Sequence, residues 1–365
     1  MRFWTVLACL IGVASAVPAP AANSSATTTT LASTSASKQS SCQNPIVRKE
    51  WRSLSITQRK AYLSAVKCLM RKPSKADKTL APGARTRYDD FNAVHIYSSN
   101  GLLTGTGGIH MVGFFLQWHR LFVWVYEKAL RDECGYAGAH PYWDWTIDAD
   151  SGVNITQWPI YDPNYGFGGN GDYIANLNAT ASWPIVPGQT GGGCVKDGPF
   201  KDVMMNVGPG ESLTYNPHCL HRGLNPLTIP WLKSERVALA MAADTYLNFD
   251  IAMQGPQNLD PTTAITLFHT SGHYVQGGDS TDFISSSTEP IFFLHHTHLD
   301  KMYWDWQMKN ASVRLTEIGG VRIPFHPESA NVTLNDTLNM QWAFPTTKIK
   351  DVMHIQKGVL CYDYE

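Results

Sequence analysis

"HMVGFFLQWHRLFVWVYEKAL", His110 to Leu130, is among the most apolar stretches of the chain, yet it carries His110, His119, Arg120 and Glu127. A polar ring buried among Phe, Trp, Leu and Val must find a partner or cost stability. An α-helix turns about 100° per residue, so positions nine apart point to roughly opposite sides. If both imidazoles serve one site, the chain between them cannot be one continuous helix. Met111 to Gln117 therefore reads as largely loop, with a helix beginning near Trp118, carrying His119, and stopping near Gly135.

Other helices are signalled around it. Thr57 can cap a helix whose face holds Ala61, Tyr62, Ala65, Val66 and Leu69 before Pro73 ends it. Tyr88, Phe91 and His95 share a face in "RYDDFNAVHIYSS". "DPTTAITLFHTSGHYVQGG" begins with a capping Asp260 and Pro261, and ends at a glycine pair. "STEPIFFLHHTHLDKMYWDWQMKN" starts the same way, with Pro290 just inside. Between Ile147 and Pro230 the chain is rich in Gly, Pro, Asn and Trp, which predicts long irregular structure walling a site. Residues after Ile318 read as short strands and turns.

At 365 residues and 43% hydrophobic content the chain can bury a sizeable core, and it has 29 basic and 30 acidic residues. That balance excludes an electrostatic footprint for nucleic acid or an anionic membrane. Residues 1–16 read as a signal peptide: Arg2, an apolar run from Val6 to Val13, and Ala14-Ser15-Ala16 as the cleavage site, too short a run to span a bilayer. Residues 17–41 are Ser/Thr/Ala-rich and read as a disordered tail. Residues 42–365 read as one domain. The expected localisation is secreted and extracellular.

Six cysteines remain after the leader, an even number that reads as three disulfides in a secreted chain, although six allow 15 connectivities. Proximity favours Cys194 with Cys219 and Cys68 with Cys134, leaving Cys42 for Cys361. Sequons at Asn23, Asn154, Asn178, Asn310, Asn331 and Asn335 fit a glycosylated surface.

The chain has 13 histidines, and they cluster. His269 and His273, four apart in a helix, project from one face with the spacing of two ligands to one metal. In "HHTH", His295, His296 and His298 cannot all face one way; His296 and Asp300 share a face, so Asp300 could support a ligand. His95, His110 and His119 form the other set. Two sets of three, each drawn from two helical segments, suit a metal that prefers neutral imidazole, such as Cu, Zn, Fe or Ni. Without anionic ligands such a site stabilises Cu(I), tolerates Cu(II), and can pass two electrons together to O2. A lone His is more often core or surface, and His140, His295, His298, His326 and His354 are read that way. His218 and His221 in "NPHCLHRGL" form a rival motif, discounted because Cys219 is read as oxidised.

These residues resemble the type-3 copper proteins, comprising tyrosinases, catechol oxidases and haemocyanins. One signature runs His110, Phe115, Leu116, Gln117, Trp118, His119-Arg120, Val123, Glu127; the other is Glu289-Pro290-x-Phe292-Phe293-x-x-His296-x-x-x-Asp300. "PYWDW" from Pro141 to Trp145 matches a further block, and Tyr362-Asp363-Tyr364 looks like the closing Tyr-x-Tyr motif, with Arg48 its plausible partner. The resemblance covers nearly the whole globular part and is nearest to short secreted fungal polyphenol oxidases. It implies a mainly α fold: a four-helix bundle holding a dicopper centre, with long irregular loops and a few short strands. His95, His110 and His119 would hold the first copper, and His269, His273 and His296 the second, with O2 as co-substrate. Phe292 would lean over the second copper near an incoming phenol.

Departures from the family pattern refine the expectation. Gly108 stands where many fungal members have a cysteine cross-linked to histidine, so no thioether is expected. Glu289 replaces Asp. No C-terminal lid domain is expected after Tyr364. In members that hydroxylate monophenols well, the residue after the second copper's first ligand is often Asn, working with a nearby Glu; here it is Thr270, with Asp250 and Asp260 the nearest upstream carboxylates. Tyr274 would stand at the cavity mouth. The resemblance thus implies a catechol oxidase acting on small phenols, catechols first, with monophenols and aminophenols as further candidates. The competing readings are a full tyrosinase, a haemocyanin-like O2 binder, and a structural domain with zinc at His269 and His273.

Overall fold

The computed structural model describes residues 42–102, 104–175, 187–256 and 267–365. The leader, the tail, Asn23, Asn178 and the Asp260-Pro261 helix start lie outside the described residues. The longer helices among the described residues are α1 (Ile56–Leu69), α2 (Arg87–Ser99), α3 (Phe115–Cys134), α4 (Trp145–Asp150), α5 (Ser234–Met241), α6 (Tyr246–Gln254), α7 (Phe268–Tyr274) and α8 (Ile291–Met308). Strands are short and paired in twos: β1 (Ile46–Arg48) runs parallel to β8 (Tyr362–Tyr364). The other pairs are antiparallel: β2 (Gly171–Tyr173) with β3 (Gly192–Val195), β4 (Met204–Met205) with β5 (His218–Cys219), and β6 (Thr337–Leu338) with β7 (Thr347–Lys348). The protein is therefore mainly helical, as the sequence implied. Among the described residues no helix is long and apolar enough to cross a membrane.

Local chemistry sets most helix ends, and it moves three expected boundaries. α1 is capped by Ser55, whose hydroxyl accepts from the Gln58 amide while the Gln58 side chain accepts from Ser55 N–H; this reciprocal box overrides Thr57, which lies inside the helix. α3 begins at Phe115, three residues earlier than Trp118, since the Trp118 N–H already donates to the Phe114 carbonyl (2.9 Å). It ends at Gly135, whose φ of 67° only glycine takes without strain. Pro290 is the N-cap of α8, not its first residue. The missing Pro N–H costs nothing there.

α3 is the central rod. One side packs on α1 and another on α8, and buried Phe91, Phe122, Tyr126 and Phe293 interlock between α2, α3 and α8. Three disulfides hold the periphery in the expected pairing, Cys42–Cys361, Cys68–Cys134 and Cys194–Cys219. In chain-entropy terms, closing loops of 319, 66 and 25 residues stabilises by about 3.5–6 kcal/mol each.

Two buried ionic knots fix the irregular parts to the helices. Arg222 makes a bidentate pair with Glu289 (2.9 and 2.8 Å) just before α8, and donates to the carbonyls of Phe167, Gly168 and Gly169. The glutamate at this position thereby ties the 147–230 region to α8. Midway along α8, Asp300 accepts from Arg120, Tyr362 (2.6 Å) and Tyr364 (2.5 Å). Arg48 joins this knot by donating to Tyr364 and Glu127, and lies 3.6 Å over the Tyr362 ring. Arg48 is thus the partner of the closing motif.

Candidate metal centre

The two histidine sets lie side by side in the core, and all six rings are at most 3% exposed. His95 comes from α2, His119 from α3, and His110 from the loop before α3. Their nearest ring nitrogens all lie within 4.8 Å of one another. His95 Nδ1 donates to the Ile284 carbonyl (2.8 Å) and His119 Nδ1 to the Phe115 carbonyl (2.9 Å). A neutral ring has one N–H, so these bonds leave Nε2 as an unprotonated lone pair on both. Each Nε2 is buried without a partner among the described residues, as is His110 Nδ1. Such orphaned acceptors cost free energy unless a cation sits before them.

The loop that carries His110 is gripped from α6. Met111 adopts a left-handed φ of 57°, uncommon for a residue with a side chain. Gln254 holds this turn from both sides: its Oε1 accepts from Met111 N–H (2.7 Å) and its Nε2 donates to the Val112 carbonyl (2.9 Å) and to Asp250 (3.0 Å). Tyr246 donates to the Gly113 carbonyl and to Gln117. Nothing local to His110 in the sequence signals this clamp; its trace is the buried polar i,i+4 pair Asp250/Gln254 on α6.

The second set comes from α7 and α8. His273 Nε2 is 3.1 Å from His269 Nε2 and 3.2 Å from His296 Nε2, and His273 Nδ1 is 3.2 Å from the Ser280 hydroxyl. Those separations suit donors that share one ion about 2.0–2.1 Å from each. Burial drives all six histidines toward the neutral form, His95 to about 4 and the rest well below the usual imidazole value. Six neutral donors with no carboxylate or thiolate among them fit copper in both oxidation states.

The sets also touch each other. The rings of His119 and His296 stack at 4.3 Å and those of His110 and His269 at 5.7 Å. Two ions held by them would therefore share one centre. Phe292 lies across the seam, 4.2 Å from His296 and 5.1 Å from His95 by ring centroids. Phe115, which carried no assigned role in the sequence, flanks the other side at 4.6 Å from both His119 and His269.

Other expectations are relocated. His295 lies within the second cluster, yet both its nitrogens are engaged: Nε2 with the His269 carbonyl (3.1 Å), Nδ1 with the Trp145 indole N–H (3.2 Å). That makes it a satisfied core residue whose ring fills the space where Gly272 has no side chain; a Cβ there would lie 2.1 Å from the ring. Asp300 does not support His296, because its oxygens face Arg120, Arg48 and the two tyrosines; His296 Nδ1 has no partner among the described residues. Tyr274 is 3% exposed and packs against Phe283 (6.1 Å), not at an open mouth. Thr270 is buried beside His269. Asp250 is committed to Gln254, and Asp260 lies outside the described residues. His221 pairs with Asp279 (3.2 Å), and all six described cysteines are in disulfides, which leaves neither a thiolate for the rival motif nor a sulfur for a thioether at Gly108.

Comparison with known proteins points the same way. The profile described as the common central domain of tyrosinase matches residues 85–309, a span that includes both histidine sets. Tyrosinase P of Aspergillus terreus is 33% identical over 344 residues, covering 88% of this chain and 93% of that protein. The N-acetyl-6-hydroxytryptophan oxidase of Emericella nidulans is 32% identical, covering 90% and 94%. Among solved structures, a point mutant of a polyphenol oxidase from Thermothelomyces thermophila superposes with a TM-score of 0.76 at 34% identity, covering 88% of this chain and 89% of that one.

Proposed function

The chain belongs to the tyrosinase family, and from that premise we propose that it is a secreted oxidase of o-diphenols, converting two catechols and one O2 to two o-quinones and two waters. Copper oxidoreductase chemistry on phenols is common to the family. The finer reading, diphenol oxidation in preference to monophenol hydroxylation, is the proposal. We assign His95, His110 and His119 to one copper and His269, His273 and His296 to the other. The observation that carries this is the pair of buried histidine triplets, one with three unpartnered ring nitrogens and the other with three Nε2 atoms converging.

When bound, the two ions supply the two-electron transfer to O2 and the Lewis acidity that lowers a phenol's pKa. The rest is done by the chain. Backbone carbonyls of Ile284 and Phe115 hold the His95 and His119 tautomers, so no proton must leave before metal binds. Phe292 and Phe115, both fully buried, keep the seam apolar by packing against His296 and His119. Thr270 follows His269; its single hydroxyl orients a water less firmly than an amide would, which supports oxidation of phenols that already carry two hydroxyls.

Secretion, a cleaved leader over residues 1–16, a tail to residue 41 and a catalytic domain over 42–365 complete the proposal. Three formed disulfides support an oxidising compartment, and Asn154, Asn310, Asn331 and Asn335 are all exposed, as glycan acceptors must be. The test is a substrate panel on copper-loaded protein. Rapid oxidation of 4-methylcatechol with little turnover of tyrosol is expected; sustained tyrosol turnover without lag would make the protein a full tyrosinase instead. Oxygen binding without catechol turnover would point to a carrier.

A further inference from the structure

A histidine that the metal centre leaves unused, His221, sits beside a disulfide. His221 and Asp279 exchange backbone contacts, Asp279 N–H donating to the His221 carbonyl (3.1 Å) and His221 N–H to Asp279 Oδ2 (2.8 Å). Asp279 Oδ1 lies 3.2 Å from His221 Nδ1, and His221 Nε2 lies 3.6 Å from Cys219 Sγ. The order carboxylate, imidazole, sulfur is that of a relay able to place a proton, or a positive charge, against a departing thiolate. Carboxylate and ring are held on a firm frame: the next residue, Arg222, is locked to Glu289, and Gly278 abuts the His221 carbonyl.

Of the two cysteines, Cys194 is the more exposed residue. Cys194 is exposed and Cys219 half-buried, whereas all four cysteines of the other two disulfides are half-buried. Among the described residues no imidazole or cation is hydrogen-bonded to a sulfur of Cys42–Cys361 or Cys68–Cys134. The hydrogen bond that His221 donates to Asp279 also raises the His221 pKa, so the ring carries a proton over a wider range of pH.

From this geometry we propose that Cys194–Cys219 is a thiol-exchange site, at which a small external thiol attacks Cys194 and the Asp279–His221 pair stabilises Cys219 as the leaving group. The thiolate's sulfur forms a new S–S bond to Cys194 Sγ. The Cys194–Cys219 bond breaks, and its electron pair leaves on Cys219, which is paired with the His221 imidazolium and takes its Nε2 proton. A second thiol then displaces Cys194, releasing the oxidised disulfide of the external thiol; two thiols are oxidised as one protein disulfide is reduced. The consequence for the site is direct. The 278–281 segment that positions Asp279 also carries Ser280, the hydrogen-bond partner of His273.

The test treats copper-loaded protein with reduced glutathione under anaerobic, substrate-free conditions, quenches with an alkylating reagent, and maps adducts by peptide mass spectrometry. The expected result is glutathione on Cys194 with Cys219 alkylated, appearing at least about tenfold sooner than any opening of the other two disulfides. His221→Gln should slow this step by about tenfold and leave the other two pairs unchanged, with Asp279→Asn as an independent second variant. The two remaining disulfides report misfolding internally, because a collapsed variant would open all three. Equal rates for the three disulfides, glutathione on Cys219, or an unchanged rate in both variants would overturn the proposal; the first two outcomes need no variant at all.

Discussion

The two histidine triplets hold equivalent donors by different means. In the set from α7 and α8, secondary structure does most of the placing: an i,i+4 pair projects from α7, and α8 brings His296 to it. In the set from α2 and α3, two rings are locked by backbone carbonyls and the third rides a left-handed turn that Gln254 grips from α6. Helical spacing is robust to the loss of one polar contact, whereas a strained loop is not. The first set should therefore be sensitive to a polar substitution far from any donor atom, and the second to a change in packing.

Deleting a donor in either set should have the largest effect. His119→Ala and His296→Ala are each expected to lose about half the bound copper or more, with catechol oxidation at background; elemental analysis beside an oxygen-uptake assay checks this. Full copper with full quinone output in either variant would break the comparison at its root. Next is Asp300→Ala, which leaves Arg48 and Arg120 buried without their shared carboxylate. Denaturant unfolding should show a loss of about 3–5 kcal/mol, in metal-free as in metal-loaded protein.

The two sets part company in the next pair of variants. Gly272→Ala drives a Cβ into the His295 ring and should damage the α7–α8 set, while Gln254→Leu should weaken the His110-bearing set by about 10–100-fold. A stepwise chelator titration that resolves two copper-release steps would show a different step shifted in each. If both variants shift the same step, the division of labour is wrong. Ser280→Ala, which removes one hydrogen bond from His273, should shift its step by about tenfold or less.

The smallest effect concerns acid stability. His140 is buried between Tyr62 and Tyr126, outside both sets, with its pKa held well below the usual value by burial and then by Arg48. The unfolded chain protonates this ring below about pH 6.5 and the folded chain does not. Stability must therefore fall as pH drops below that value, by at most about 1.4 kcal/mol per unit for one such group. His140→Phe should flatten the slope of unfolding free energy against pH, from about 6.5 down to about 5, by up to that amount.

What the sequence disclosed follows a physical line. His269 and His273 were legible because helical periodicity fixes which residues share a face, and the separation of His110 from His119 excluded one helix between them. Cysteine pairing was legible where pairs lie near in sequence. Side chains whose partners lie far along the chain were not. Asp300 has the spacing to support His296, yet two arginines and two tyrosines from elsewhere take its oxygens; Tyr274 follows a donor but turns onto Phe283. Glu289, which stands where the family pattern has Asp, proves to be half of a buried bidentate pair with Arg222, 67 residues away. Thr57 lost its cap to Ser55 for a local reason, the reach of Gln58.

Residues 362–364 form a strand made long after its neighbour, and they complete a lock whose other half lies at residues 46–48. Until the two strands pair, Asp300 lacks both tyrosine hydroxyls, and α8 is held one turn beyond His296 by arginine contacts alone. During synthesis, then, a nascent chain contains all six histidines before the codons for Tyr362 and Tyr364 are read. In this order of synthesis the two tyrosines are the last contacts to reach Asp300.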